Sequence, residues 1–140
     1  MIYLDASVLV PLFRVEPRTT LVNQLLIETE AIFLVSDFAV GEVGATMARL
    51  VRTQELAPDD ATDRLAKFDA WYLASCETVS TEARDVRSAS LFVRQFALHL
   101  RLPDAIHVAI ARRTGSRLVT ADRRLFDACA HIDCEAQLIA

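Results

Sequence analysis

The chain has 140 residues, is 53% hydrophobic and carries a net charge of −4. That length supports one domain with its own core, and no apolar run reaches the ~18 residues of a membrane span. Nothing basic precedes the first apolar stretch, as a secretory signal would require, and three scattered cysteines (Cys76, Cys129, Cys134) make no disulfide framework.

A reduced, cytoplasmic protein is therefore expected. Cys129 and Cys134 lack the second pair that a zinc site would need. Gly and Pro are scarce, no internal repeat is present, and residues 1–140 read as a single domain.

In chain order, the apolar residues 2–4 predict a short buried strand. Ser7 predicts the cap of a helix from Val8, with Pro11 tolerated in its first turn. Pro17 opens a second helical stretch, with Leu21, Val22, Leu25 and Leu26 at helical spacing. Residues 32–36 predict the next strand. Ser36 or Asp37 then caps a helix reaching about Glu55.

Pro58 and three following acids mark the start of a helix over 58–76. Phe68, Trp71 and Tyr72 lie on its packing stripe. A short strand near 78–79 and a helix from Thr81 to His99 come next. A helix over 103–113 carries Pro103 and Asp104 in its first turn, and Gly115 ends it. Residues 117–120 predict a strand, 122–130 a short helix, and 136–140 a last strand. Strands alternating with helices argue for an α/β fold around a mainly parallel sheet.

In open parallel sheets, ligands bind beyond the carboxyl ends of the strands. Asp5 follows the first strand directly, and Asp122 follows residues 117–120 after one intervening residue. Glu42 lies early in the helix after the second strand, and Asp104 in the first turn of its own helix. Four carboxylates from distant points in the chain are thus expected at one sheet edge. Crowded like charges raise one another's pKa unless a cation neutralises them. Oxygen donors without Cys or His favour Mg²⁺ or Mn²⁺ over zinc. Each acid also has an ordinary reading: a first-turn residue at Asp104, a helix cap at Asp122, a pair with Arg49 at Glu42, a turn residue at Asp5. The joint pattern is what favours a site.

Four stretches carry a family resemblance. They are MIYLDASVLV (1–10), SDFAVGEV (36–43), LPDAIHVAIA (102–111) and LVTADRRL (118–125). With them the chain resembles the PIN domain family, most closely its small VapC-type toxins from bacterial toxin–antitoxin pairs. The resemblance implies a five-stranded parallel sheet with helices on both sides. It also implies a Mg²⁺- or Mn²⁺-dependent endoribonuclease, a homodimer, and a small antitoxin that inserts a segment near the active site. Carried over by position, Asp5, Glu42, Asp104 and Asp122 form the catalytic metal site, supported by the hydroxyls of Ser7 and Thr120.

On this reading Asp5 and Asp104 are direct metal ligands, Asp122 assists, and Glu42 orients the attacking water. RNA contact needs positive charge outside the acids. Every basic side chain except Lys67 is an arginine, which genome composition explains as well as function does. Arg14, Arg18, Arg49, Arg52, Arg112 and Arg113 are the candidates for that contact. His107, one turn after Asp104, is expected to pack on the sheet beside the site, whereas His99 and His131 show no partner. Three other readings compete: a silent binding module, a metal-dependent deoxyribonuclease, and a phosphotransfer enzyme with Asp5 as nucleophile. The last normally has a second acid two residues on, where this chain has Ser7.

Overall fold

Strands covered on both faces need continuous apolar runs rather than alternating ones. The computed structural model, which describes all 140 residues, places β1 (Ile2–Leu4), β2 (Phe33–Ser36), β3 (Glu77–Val79), β4 (Arg117–Thr120) and β5 (Ala136–Leu138) in one sheet. The strand order is β3-β2-β1-β4-β5, and every neighbouring pair is parallel. The seven helices are α1 (Ala6–Phe13), α2 (Thr19–Glu28), α3 (Asp37–Arg52), α4 (Pro58–Ser75), α5 (Ala83–Val93), α6 (Leu102–Thr114) and α7 (Arg123–Cys129). The expected α/β architecture, a five-stranded parallel sheet flanked by helices, is the one observed. No helix is long and apolar enough to cross a membrane.

Alternation along the strands divides the core in two. Tyr3, Leu34 and Leu118 pack against α5, α6 and α7 through Ala89, Ile110 and Leu125. Ile2, Leu4, Val35 and Val119 face the other way, onto Val8, Val22, Val43 and Phe68. Phe68 is 1% exposed, and its ring lies 5.3 Å from Phe13 and 5.0 Å from Tyr72. Truncating such a buried ring costs about 3–5 kcal/mol. The expected stripe of Phe68, Trp71 and Tyr72 is therefore core packing.

Several boundaries differ from expectation. Helix α1 starts at Ala6 and is capped by Asp5, not Ser7, because the Ser7 hydroxyl is engaged elsewhere. Helix α2 starts at Thr19, whose hydroxyl accepts from Glu16 N–H and donates to the Pro11 carbonyl. Helix α3 is capped by Ser36 and ends at Arg52. The helix expected over 81–99 ends at Val93. A 3₁₀ turn over Phe96–Leu98 follows, and His99 takes a left-handed conformation with φ 53°. Gly115 ends α6 with φ 65°, a conformation that suits a residue without Cβ.

Strand order decides where a ligand can sit. From β1 the chain builds outward to β2 and β3, then returns to lay β4 and β5 on the other side. The switch point therefore lies between β1 and β4, and ligands of open parallel sheets bind beyond the carboxyl ends of such strands.

Candidate active site

Asp5 leaves β1 and Asp122 follows β4, so both stand at that switch point. Asp5 is buried, 3% exposed, and no Lys or Arg pairs with it. Its Oδ1 accepts from Ser7 Oγ at 2.5 Å and from Val8 N–H at 3.3 Å. Ser7 in turn accepts from Ala121 N–H at 2.9 Å and lies 3.3 Å from Thr120 Oγ1. Thr120 Oγ1 accepts from Asp122 N–H at 3.0 Å. The two hydroxyls thus tie the exits of β1 and β4 together. Burial pushes the Asp5 carboxyl up, although His107 and the Ser7 and Thr120 hydroxyls oppose the shift.

Asp122 Oδ1 caps α7 by accepting from Arg124 N–H at 2.9 Å and Leu125 N–H at 3.3 Å. Asp104 lies in the first turn of α6, with Arg101 Nε 3.4 Å from its Oδ2. Burial pushes the Asp104 carboxyl up; Arg101 pulls it down, and the neighbouring Asp122 raises it further.

Glu42 is the exception in its engagement. Its Oε1 is hydrogen-bonded to His107 Nε2, and the expected alternative partner, Arg49, does not pair with it. His107 is 3% exposed and packs on Tyr3 and Phe38 at 5.6 and 5.1 Å between ring centroids. Its Nδ1 lies 2.6 Å from Tyr3 Oη, which lies 2.7 Å from Ser36 Oγ, and Ser36 accepts Ala39 N–H at 3.0 Å. A carboxylate can only accept, so a neutral His107 carries its proton on Nε2 and accepts from Tyr3 at Nδ1. Burial raises the Tyr3 phenol far above its ordinary value, so the group stays a donor. Sequence reasoning placed His107 beside the site but missed Tyr3 and Ser36. The signal was a tyrosine inside an otherwise aliphatic buried strand, whose hydroxyl must find a partner.

No three Asp, Glu, His or Cys side chains stand close enough to share a metal ion. The four carboxylates do not form a ready-made cage, and Glu42 and Asp122 line separate depressions. The donor chemistry nonetheless fits a hard cation. The donors are oxygens, Asp5 has no basic partner, and burial raises both Asp5 and Asp104.

The arginines named from the sequence lie elsewhere. Arg113 is held by Asp85, with Nε 2.8 Å from Oδ1 and Nη2 2.9 Å from Oδ2, and by Glu82. Arg112 lies over the Phe92 ring at 5.6 Å, and Arg14 faces Glu55 at 4.0 Å. Arg49 and Arg52 occupy the last turn of α3, away from the start that carries Glu42, and Arg18 precedes α2. The basic groups beside the acids are Arg101, Arg123 and Arg124, with His99 and His131, around a cleft that Asp122 also lines.

A family model described as PIN domain matches residues 2–131. No curated protein matches the sequence. Solved structures with the same fold include Mycobacterium tuberculosis VapC20, described as a sarcin–ricin loop cleaving toxin. It is 20% identical with a TM-score of 0.72, over 91% of this chain and 95% of that one. A chain of Neisseria gonorrhoeae FitAcB is 18% identical with a TM-score of 0.74, over 97% and 96%. A chain of Rickettsia felis VapBC2, solved with a DNA fragment from its promoter, is 13% identical with a TM-score of 0.70, over 99% and 98%.

Proposed function

The chain belongs to the PIN domain family, and from that premise we propose that it is a Mg²⁺- or Mn²⁺-dependent endoribonuclease, the toxin of a VapBC-type pair. The observation that carries the reading is Asp5. A buried carboxylate without a basic partner, held at the sheet's switch point by Ser7, is costly for a folded chain unless a cation joins it.

Asp5, Asp104 and Asp122 would hold the metal, with Glu42 completing the set. When bound, such an ion activates water and stabilises the leaving oxygen of a phosphodiester. The residues of the chain do the rest. Ser7 fixes the Asp5 carboxylate, and Thr120 holds the loop bearing Asp122. His107 sets the orientation of Glu42, which positions the attacking water for in-line hydrolysis without a covalent intermediate.

RNA as substrate follows the family resemblance, and VapC20 as a sarcin–ricin loop cleaving toxin supports it. An antitoxin partner and a homodimer are supported in the same way, by neighbours solved as FitAcB and VapBC2. A silent binding module is the second reading, favoured by the lack of a preformed metal cage. Incubating the purified protein with total RNA and Mn²⁺, with EDTA and Asp104→Asn as controls, separates the two. Metal-dependent cuts lost in Asp104→Asn are expected. Intact RNA under all conditions sinks the nuclease reading.

A further inference from the structure

Two depressions flank the acids, and their charges differ. On the side of Glu42, a hollow of about 390 Å³ is lined by Asp37, Phe38, Gly41 and Glu42 and contains no basic side chain. On the side of Asp122, a cleft of about 730 Å³ lies between residues 97–101 and α7. His99, Arg101, Arg123, Arg124 and His131 line it, against Asp122 and Asp127. Arg123 and Arg124 are exposed and form no ion pair. The Asp122 Oδ1 that could neutralise them is turned onto backbone N–H groups.

A polyanion reaching the acids is repelled from the first side and drawn to the second. We propose that the cleft beside Asp122 holds the phosphodiester backbone of a single strand on one side of the bond to be cut. Arg123 and Arg124 are its phosphate contacts. Arg101, whose Nε lies 3.4 Å from Asp104 Oδ2, joins the cleft to the acids. Guanidinium groups suit phosphate because their donors form a fixed planar fork. The volume falls within the range of ligand sites and exceeds what a lone ion needs. The inference rests on the nuclease reading and adds to it the path of the strand.

The test is fluorescence anisotropy in EDTA, where binding is read without cleavage. The probes are a labelled single-stranded RNA of about 12 nucleotides, matching the few nucleotides a single-strand groove tracks, and DNA of the same sequence. Arg123→Ala/Arg124→Ala is compared with Arg49→Ala/Arg52→Ala, which removes the same charge from the far end of α3. The cleft variant should bind about tenfold or more weakly, and its salt dependence should fall by about 1.4 in log–log slope for two lost phosphate contacts. The control should stay within about twofold, and Arg123→Lys/Arg124→Lys should recover part of the affinity, because the charge is kept while the planar fork is lost. Equal dependence with DNA supports the backbone as the ligand. A cleft variant that binds like wild type, or equal losses in both alanine pairs, overturns the inference. If wild type still cuts RNA with Mn²⁺ in that case, the nuclease reading survives. If wild type binds neither strand, the inference falls, and cleavage with Mn²⁺ decides the nuclease reading separately.

Discussion

His107 of α6 holds Glu42 of α3 through a hydrogen bond from Nε2 to Oε1, joining residues 65 apart in the chain. Behind His107, Tyr3 and Ser36 continue the line to the start of α3. Glu42 is thus aimed by a chain of hydrogen bonds whose inner members are buried. Groups that orient metal ligands in this way typically influence affinity or activity about 10–100-fold. His107→Ala should lower Mn²⁺ affinity and cleavage within that range. Tyr3→Phe, which strands His107 Nδ1 and Ser36, should cost about 1–3 kcal/mol of stability. Titration calorimetry and denaturant melts check these, and a His107→Ala protein with wild-type Mn²⁺ affinity would refute the orienting role.

Asp5→Asn should abolish metal-dependent cleavage yet stabilise the metal-free protein at neutral pH. Burial raises the folded-state pKa of Asp5. Its favourable contribution is therefore complete below the ordinary value of 3.8 and is lost as pH rises through the folded value. The Tm of Asp5→Asn should exceed that of wild type at pH 7, by about 4 °C for each kcal/mol in a chain of this size. The gap should close as pH falls toward the unfolded value. A metal-free Asp5→Asn protein that melts below wild type at pH 7 contradicts this.

Metal should stabilise the wild type in proportion to its binding. At a hundred times the Kd, linkage adds about 2.7 kcal/mol. Differential scanning fluorimetry with Mn²⁺ should show a rise in Tm that EDTA reverses. In Asp5→Asn the rise should be absent.

Asp122 has two duties that substitutions can part. Its Oδ1 caps α7, and on the proposed reading its charge helps hold the metal. Asp122→Asn keeps a capping oxygen and removes the charge, whereas Asp122→Ala loses both. Both should cut poorly, but the alanine variant should be about 1 kcal/mol less stable than the asparagine one. Equal urea midpoints would show that the cap contributes nothing.

The Arg113–Asp85 pair is structural. It joins α6 to the start of α5, and Asp85 is 2% exposed. Burial works against the Asp85 charge, but Arg113 and the Glu82 N–H outweigh it and hold the pKa below the ordinary value. That contribution is present above the unfolded pKa and is lost as pH falls through the folded one. Arg113→Ala should cost about 3–5 kcal/mol at pH 7 by leaving a buried charge unpaired. The deficit should shrink in acid, which urea melts at pH 7 and pH 3 would reveal.

Much was decided by local order in the chain. The strand–helix alternation, Asp5 directly after β1, Asp122 as a cap after β4, and Asp104 behind Pro103 all follow from neighbours a few residues apart. Apolar runs, capping residues and helix-start acids act at that range, so they are legible without the fold.

What only the tertiary structure decided lies in pairings across the switch point. Ser7 and Asp5 are equally good caps by type, yet the Ser7 hydroxyl serves Ala121 N–H, 114 residues away, and Asp5 caps α1. Glu42 has an arginine two turns on along its own helix, yet its partner is His107 on α6, 65 residues away. Arg112 and Arg113 share a helix with Asp104 but sit at its far end, about 12–14 Å along the axis at 1.5 Å per residue. Arg123 and Arg124 follow Asp122 in the chain, but the cleft they line with residues 97–101 exists only in the fold. Which end of a helix faces the site, and which strand lies next to β1, depend on strand order, and strand order is set by burial of both sheet faces at once.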